Sequence, residues 1–386
     1  MSVILSFDVE EHDRIEAAVG VPVSPALKAH YRDRVNSTTR WLIDFLAERN
    51  IKATFFVVGQ IAKDNPNLVR AISSAGHEVA SHSWDHQRIH RHTPASFRED
   101  LRLSKEALEQ ATGQQVVGYR APTFSIMRET AWALDILAES GFAYDSSIYP
   151  VRHDRYGIPT APRTPFWAKG ERHEILEMPP LTWRLLGMNL PVAGGGYFRL
   201  LPLWTMRQGI RQMHKANSPI SPPASSTQSE QTFSPLPRTR GRGVGGEGDK
   251  VRAVASPLTP TPLPRVQGRG APAAPAAIQG DVPAIESAVA TLYFHPWEFD
   301  PDQVRLPLGR LSRFRTYVGI NSSRRRLAML LAGYDFKRAC DVAGDDVFRR
   351  SVRVNMSVAL ETQTNEESAL ASVEPSDRRE YTPNRP

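Results

Sequence analysis

The feature that most constrains the fold is an alternation of short apolar runs with helical patterns through the first 145 residues. The apolar runs predict strands at 3–7, 53–58, 78–80, 116–119 and 142–145, with later strands at 175–178 and 291–294. Apolar residues at helical spacing predict helices between them: one capped by Ser37 or Thr38, and others at 66–74, 95–111 and 130–140. Strands that alternate with helical crossovers run parallel, so the pattern predicts an α/β sheet or barrel.

Residues 218–283 break this alternation. They contain 12 Pro and 8 Gly and show no apolar periodicity, so they cannot bury enough surface to offset their ordering entropy. We therefore expect a disordered insertion there. It would separate the first part of the barrel, residues 1–217, from residues 284–346, which would carry the last strands and a C-terminal extension. The polar residues 347–386 predict a disordered tail.

Charge and composition exclude several classes of protein. The formal net charge is +7, of which +3 belongs to residues 218–283, and the remainder is too small to predict a nucleic-acid partner. A single cysteine, Cys340, excludes a disulfide framework and a cysteine-based zinc site. No apolar run approaches the ~18 residues of a membrane span. The first residues carry early carboxylates and no basic stretch, which predicts a first strand and a cytoplasmic protein without a secretory signal.

Ionisable side chains follow the ends of five predicted strands. In chain order they are Asp8, Glu10 and Glu11, then His82 and His86, then Arg120, then Asp145, and finally His295. Each group taken alone is also compatible with a solvated loop or a chance pair of histidines. Because the carboxyl ends of parallel strands meet on one face of the sheet, five such placements in succession favour a shared site.

His82 and His86 are four residues apart, a spacing that places two imidazoles on one face of a helical turn. Opposite a carboxylate, they predict a metal site with positions open for water and substrate, which is typical of catalytic sites. Zn²⁺ suits this donor set best, although Co²⁺, Ni²⁺ or Mn²⁺ would also fit. Arg120 at a strand end could hold a neighbouring carboxylate in its ionised form.

Five motifs in this order resemble polysaccharide deacetylases of the NodB-homology (carbohydrate esterase 4) type. The subgroup associated with exopolysaccharide and PEP-CTERM export loci is the most similar. The resemblance spans roughly residues 1–215 and 286–345. It implies a distorted (β/α) barrel with fewer than eight regular strands, and metal-dependent removal of acetyl groups from a glycan. The motifs are Ser-Phe-Asp-Val-Glu (6–10), His-Ser-Trp-Asp-His (82–86), Arg-Ala-Pro (120–122), Asp-Ser-Ser (145–147) and Phe-His-Pro-Trp-Glu (294–298).

The resemblance also implies roles for the acid–base residues. Asp8 would be the general base, kept ionised by Arg120. His295 would be the general acid, with Asp145 tuning its proton affinity. These roles agree with the chemistry, because expulsion of an amine needs a proton donor and a histidine with a carboxylate partner suits that task near neutral pH.

The metal would be held by His82, His86 and an acidic residue of the first motif. The family usually has two adjacent aspartates there, whereas Val9 occupies the second place in this chain. Position i+2 of a strand returns to the same face, so Glu10 is the preferred metal carboxylate and Glu11 the alternative.

Two other motifs depart from the family pattern. Thr123 stands where an aromatic usually follows the proline, Phe124 comes one residue later, and Tyr149 stands where a tryptophan is common. With Trp297 these residues are expected to bind the sugar, and the N–H of Thr123 is expected to stabilise an oxyanion.

The leading hypothesis is therefore a metal-dependent deacetylase acting on an N-acetylated glycan or lipid-linked sugar of a bacterial exopolysaccharide. Two alternatives stay open: a catalytically inactive glycan-binding or assembly protein, and an amidohydrolase acting on a small non-sugar amide. The identity of the sugar, the position of the acetyl group and the oligomeric state cannot be predicted from the sequence.

Overall fold

The computed structural model describes residues 2–216, 289–345 and 351–356 of the 386-residue chain. The strands are β1 Ser2–Val9, β2 Thr54–Val57, β3 Glu78–Ser81, β4 Gly118–Tyr119, β5 Tyr144–Asp145, β6 Phe166–Lys169, β7 Glu174–Glu177, β8 Thr182–Leu185, β9 Met188–Pro191, β10 Val289–Phe294, β11 Asp335–Lys337 and β12 Arg353–Asn355. The helices are α1 Pro25–Ala47, α2 Gly59–Asp64, α3 Pro66–Ser74, α4 Pro94–Thr112, α5 Trp132–Glu139, α6 Gly195–Leu200, α7 Leu203–Ala216, α8 Arg310–Tyr317, α9 Ile320–Leu331 and α10 Ala339–Ala343.

Seven strands form a ring of parallel neighbours in the order β10, β1, β2, β3, β4, β5 and β7. Beyond β7 the chain reaches Pro180, which pairs in parallel with Thr291 of β10. The N–H of Leu181 donates to the carbonyl of Thr291 at 2.9 Å and so closes the ring. The predicted distorted α/β barrel with fewer than eight regular strands is confirmed.

β1 lies at the centre of this arrangement. One edge pairs with β10 along six residues, and the other edge pairs first with β11 and then with β2. Its apolar side chains Val3, Ile4, Leu5, Phe7 and Val9 are all fully buried. Burial on both faces is expected for a parallel strand covered by helices, and it explains why this run reads as continuously apolar.

Helix starts follow capping residues that precede a proline. Asn65 and Thr93 accept hydrogen bonds from the first turns of α3 and α4, and Gly113 ends α4 in a left-handed conformation with φ of 69°. The predicted start of α1 at Ser37 or Thr38 is wrong, because the helix begins at Pro25, behind the capping residue Ser24. The Ser-Pro pair at that point is the signal that was missed, since proline suits the first helical position.

Several elements lie outside the seven-stranded ring. β6 is antiparallel to β7 and carries β12 on its other edge, and β8 pairs with β9 in a separate hairpin. β12 lies within the predicted disordered tail, so that prediction is wrong at residues 353–355. The predicted insertion, residues 218–283, lies outside the described residues. Every helix in the described part of the chain is too short or too polar to cross a membrane.

Candidate active site

The end of β1 places a carboxylate against a buried guanidinium. Arg120 is fully buried and donates to Asp8 Oδ1 at 2.7 Å and to Ser6 Oγ at 2.8 Å. Its remaining donors reach the carbonyl oxygen and the hydroxyl of Ser146, beyond β5. Arg120 therefore fixes the position of the Asp8 carboxylate through a buried, charge-assisted hydrogen bond.

Glu10, His82 and His86 converge beside Asp8. One ligand atom from each of the three lies within 4.8 Å of the others, and Glu10 Oε2 is 2.5 Å from His86 Nε2. The Nδ1–H of His82 donates to the carbonyl of Arg120 at 2.8 Å, which leaves Nε2 free to act as a ligand. Glu11 is instead held by Arg14 at 2.5 Å, so Glu10, and not Glu11, lies beside the two histidines.

The electrostatics of this cluster suit a divalent cation. Burial lowers the pKa of His82 to about 4, so the imidazole is neutral, as ligation requires. Burial alone would raise the pKa of Glu10. The charge and the hydrogen bond of His86, together with smaller charge effects of His295 and His82, outweigh burial and hold this pKa well below its ordinary value. Two imidazole nitrogens and one ionised carboxylate are a donor set that catalytic metal sites use, so these residues fit the implied metal.

The loop that carries both histidines is not the helical turn that their spacing predicted. Residues 82–88 form no helix, and Ser83 and His86 both have positive φ, at 64° and 66°. Asp100 of α4 accepts from the N–H of Trp84 at 3.1 Å, and Ser83 Oγ accepts from the N–H of His86 at 2.9 Å. Hydrogen bonds therefore bring the two rings together, with centroids 5.0 Å apart, where helical periodicity was expected to do so.

The end of β10 presents His295 to the same cluster. Its Nε2 lies 3.6 Å from Glu10 Oε1 and 3.9 Å from Asp8 Oδ2, and its Nδ1–H donates to Glu298 at 2.8 Å. Glu298 is fully buried and also receives the guanidinium of Arg199 at 2.8 Å. Burial lowers the pKa of His295, but the Glu298 hydrogen bond and the charges of Glu10, Glu298 and Asp8 outweigh it and raise this pKa to about 9.

The predicted partner of His295 is therefore wrong. Asp145 accepts from Ser147 Oγ and shares a buried position with Glu177, while Glu298 is the carboxylate on His295. Burial raises the pKa of Asp145 to about 6, and burial together with the charge of Asp145 raises the pKa of Glu177 well above its ordinary value. Two buried carboxyl groups this close stabilise a shared proton.

The Asp145–Glu177 pair supports the loop after β4. Ser147, which donates to Asp145, also accepts from the N–H of Ala121 at 2.7 Å, and Glu177 accepts from the N–H of Ile148 at 3.1 Å. Through Ser147, Asp145 thus holds the backbone next to Arg120. This structural role accounts for a carboxylate at the end of β5.

A cleft of about 250 Å³ opens over these groups. Among the residues predicted to bind the sugar, Thr123, Phe124 and Trp297 line it. Trp297 stacks on His295 at 5.4 Å between ring centroids, and Thr123 and Phe124 both have positive φ. Tyr149 does not line the cleft: it is fully buried behind Tyr156, which does, and the two rings stack at 5.7 Å.

Some residues of the site were missed in the sequence. The sequence could have indicated Glu298 and Glu177, because Glu298 follows His295 by three residues and Glu177 is the last residue of β7. Arg199, Tyr156 and Arg315 come from α6, an irregular loop and α8, and no strand-end pattern marks them.

Comparison with known families matches two parts of the chain. Residues 27–144 match the polysaccharide deacetylase family. Residues 146–221 and 274–343 match a domain of unknown function (DUF3473). His82, His86 and Arg120 lie in the first match, whereas Arg199, His295 and Glu298 lie in the second, so both parts contribute to one cleft.

Several curated relatives are named as bacterial deacetylases. Over 124 residues the chain is 30% identical to the peptidoglycan-N-acetylglucosamine deacetylase PgdA of Listeria monocytogenes, covering 30% of this chain and 27% of that protein. Over 102 residues it is 34% identical to a chitooligosaccharide deacetylase of Rhizobium leguminosarum bv. trifolii, covering 26% of this chain and 45% of that protein. The matched region thus spans less than half of either relative.

Solved structures resemble the chain more distantly. A Mycobacterium smegmatis structure provisionally named as a polysaccharide deacetylase aligns with 18% identity and a TM-score of 0.42, covering 99% of this chain and 94% of that one. A family 4 carbohydrate esterase from Streptomyces lividans aligns with 24% identity and a TM-score of 0.28, covering 39% and 64%.

Proposed function

We propose that this protein is a metal-dependent deacetylase that hydrolyses the acetamido group of an N-acetylated sugar. The observation that carries the proposal is the meeting of three groups in one cleft. These are the Glu10–His82–His86 cluster, the Asp8–Arg120 pair and the His295–Glu298 pair. Hydrolysis of an amide needs an electrophilic centre, a base and an acid, and the three groups supply these functions.

Glu10, His82 and His86 would hold the cation. A divalent metal bound there supplies Lewis acidity, which polarises the acetyl carbonyl and lowers the pKa of water at the site. The requirement on the protein is to keep Glu10 ionised and both imidazoles neutral. Burial lowers the pKa of His82 and so meets that requirement there, while the carbonyl of Arg120 fixes the tautomer that leaves Nε2 free.

Asp8 would act as the base that takes the proton of the attacking water. Arg120 fixes one of its oxygens, Oδ1, so Oδ2 is the oxygen that faces the cleft beside His295. His295 would donate a proton to the departing amine nitrogen. Glu298 fixes the Nδ1–H tautomer and favours the charged ring, so Nε2 carries the proton that is transferred.

The same proposal includes a specific metal and a specific class of substrate. We propose Zn²⁺ as the metal, since two imidazoles and a carboxylate suit it, with Co²⁺, Ni²⁺ or Mn²⁺ as possible replacements. The substrate would be an exopolysaccharide or a lipid-linked sugar precursor of one. Similarity to peptidoglycan and chitooligosaccharide deacetylases supports an N-acetylated glycan. The cytoplasmic location and the exopolysaccharide-locus subgroup stay predictions.

The test is acetate release from N-acetylhexosamine oligomers by the full chain, with metal content measured on the same sample. We expect release that depends on added Zn²⁺ and is abolished in Asp8→Asn. That variant should keep its metal, because Asp8 is not among the ligands. Arg40→Gln, an exposed change outside the cleft, is the control and should not alter turnover.

Other outcomes identify the alternatives. Glycan binding without acetate release at any metal loading would contradict the proposal and support an inactive binding protein. Faster turnover of small amides than of sugar oligomers would support an amidohydrolase acting on a non-sugar amide, with the same residues in the same roles.

A further inference from the structure

Two segments of the chain carry no carboxylate. Residues 178–216 contain five Lys and Arg and no Asp or Glu, and residues 303–334 contain seven Arg and no Asp or Glu. The rest of the chain has 36 Lys and Arg against 41 Asp and Glu, so without these 71 residues the formal net charge would be −5. The net charge of +7 therefore does not show that positive charge is concentrated in these two segments.

Ten of these twelve cations are exposed. They are Arg184, Arg207, Arg211, Lys215, Arg305, Arg310, Arg313, Arg315, Arg324 and Arg325. None of them forms an ion pair with a carboxylate among the described residues. Outside the two segments both kinds of exposed arginine occur: Arg98, Arg102, Arg172 and Arg353 each pair with a glutamate, whereas Arg40 and Arg70 contact asparagine side chains instead.

The two segments pack against each other. Arg326 of α9 donates to the carbonyls of Phe198 and Leu201, and Arg199 of α6 donates to the carbonyls of Thr316 and Val318. Their cations therefore belong to one region of the fold, which we call the basic region. Arg199, Ser312, Arg315 and Thr316 of this region line the cleft, so the region adjoins the candidate active site.

Large apolar side chains are exposed among these cations. Leu311 and Phe314 of α8 are 63% and 55% exposed, and Trp204 at the start of α7 is 53% exposed. Trp204 packs edge-on against Trp183 of the β8–β9 hairpin at 5.4 Å. Hydrophobic and aromatic side chains beside unpaired cations are typical of proteins that bind the headgroup region of a bilayer.

The tip of the β8–β9 hairpin is the most unusual part of the region. Leu186 is 89% exposed and Met188 is 62% exposed, and Leu186 has φ of 49° with Gly187 at 80°. Two positive φ values in a two-residue loop make a type I′ turn, in which Asn-Gly is favoured and leucine is costly. The folded protein thus keeps an exposed leucine where another residue would be more stable, and burial in a partner would compensate that cost.

We propose that the basic region docks this protein on an anionic lipid bilayer, with the hairpin tip entering the headgroup layer. Unpaired arginines attract anionic lipids, each contributing favourably near the surface, and Leu186 and Met188 gain burial among the lipids. Nucleic acid is a weaker fit, because exposed leucine and methionine contribute nothing to phosphate contacts. The proposal is independent of the deacetylase reaction, because it concerns residues outside the catalytic set.

The test is co-sedimentation of the full chain with vesicles at 0.1 M salt. We expect binding to vesicles of phosphatidylcholine with about one third phosphatidylglycerol, and little binding to phosphatidylcholine alone. Arg184→Gln with Arg211→Gln should weaken binding about tenfold or more, since two cations are lost. The matched control is Arg40→Gln with Arg70→Gln, which removes two exposed, carboxylate-free cations outside the basic region and should bind as the parent does.

Leu186→Asn separates docking from folding. Asn-Gly favours the type I′ turn, so this variant should unfold at the same or a higher temperature while binding vesicles about fivefold more weakly. Equal losses in both double variants, or no loss in Leu186→Asn, would overturn the proposal and indicate non-specific adsorption to polyanions. Absence of vesicle binding by the parent, or tighter binding to RNA than to anionic vesicles, would also overturn it.

Discussion

The metal half and the acid half of the active site are built in different ways. The metal half, Asp8, Glu10, His82, His86 and Arg120, comes from the ends of β1, β3 and β4, within the first 120 residues. The acid half, His295 with Glu298 and Arg199, joins the end of β10 to a side chain of α6 almost a hundred residues earlier. The geometry of the metal half thus depends on the order of the strands. The geometry of the acid half depends on buried hydrogen bonds between segments that are distant in the sequence.

The difference predicts which half tolerates change. In the proposed mechanism Asp8, Glu10, His82 and His86 have direct chemical roles and Arg120 acts through Asp8, whereas Glu298 and Arg199 act only through His295. Substitutions in the metal half should therefore abolish the reaction, and substitutions behind His295 should slow it.

The largest effect is expected from His82→Ala. Loss of one of three ligands should reduce bound metal below detection and lower turnover by on the order of 10³-fold or more. Metal analysis beside acetate release provides the measurement. Glu11→Gln, which alters the alternative carboxylate, should keep both metal and activity, and metal loss in that variant would contradict the choice of Glu10.

Glu298→Gln should have the next largest effect. It removes the charge that favours protonated His295, so we expect kcat to fall by about 10²-fold with little change in KM, and the alkaline limb of the pH profile to move to lower pH. Glu99→Gln, an exposed glutamate paired with Arg102, is the matched control.

Glu298→Gln also leaves Arg199 buried without its carboxylate, which destabilises a fold. The double variant Arg199→Met with Glu298→Gln removes that unpaired charge. Recovery of stability without recovery of kcat would show that Glu298 acts on His295. Recovery of both would assign it a purely structural role.

A smaller effect is expected in the acid half, on the pH dependence of the free energy of unfolding. The pKa of His295 is raised from 6.5 to about 9 in the folded protein. A raised histidine pKa stabilises the fold fully below pH 6.5, and this contribution is lost as the pH rises through 9. The metal-free protein should therefore lose roughly 2 kcal/mol of unfolding free energy between pH 7 and 9.5. Urea unfolding measures it, and an equal loss in His295→Asn would show that another group is responsible.

The smallest effect is expected from deleting residues 218–283. Both halves of the site meet through the pairing of β1 with β10, and every residue named in them lies outside the deleted segment. Turnover and metal content should equal those of the full chain. Loss of folding would show that the deleted residues belong to the barrel.

The metal half could be predicted from the sequence because its residues come directly after apolar runs in the chain. Apolar runs locate the strands, and the residue after each run lies at the same edge of the sheet, which identified Asp8, His82 and Arg120. The reason given for His82 and His86 was wrong, because a loop with two positive φ values replaces the helical turn. Their convergence needed only the strand end and the hydrogen bonds to Asp100 and Ser83.

The acid half could be predicted only in part. His295 follows a strand and was found, but its partner was assigned to Asp145, which occupies another strand end. Proximity of strand ends does not determine which carboxylate a ring faces. The turn after β10 decides it, by bringing Glu298 back to the Nδ1 of His295. Arg199 and the basic region depend on the packing of α6, α8 and α9, which no local pattern in the sequence indicates.

The pairing of β1 also has a consequence for biosynthesis. β1 is made first, yet it receives β10 along one edge and β11 along part of the other, from residues after 288. While the ribosome adds the intervening residues, β1 has only β2 beside it, and the backbone N–H and C=O groups along its open edges can pair with other chains. The barrel can therefore close around the candidate site only after about residue 340 has been synthesised.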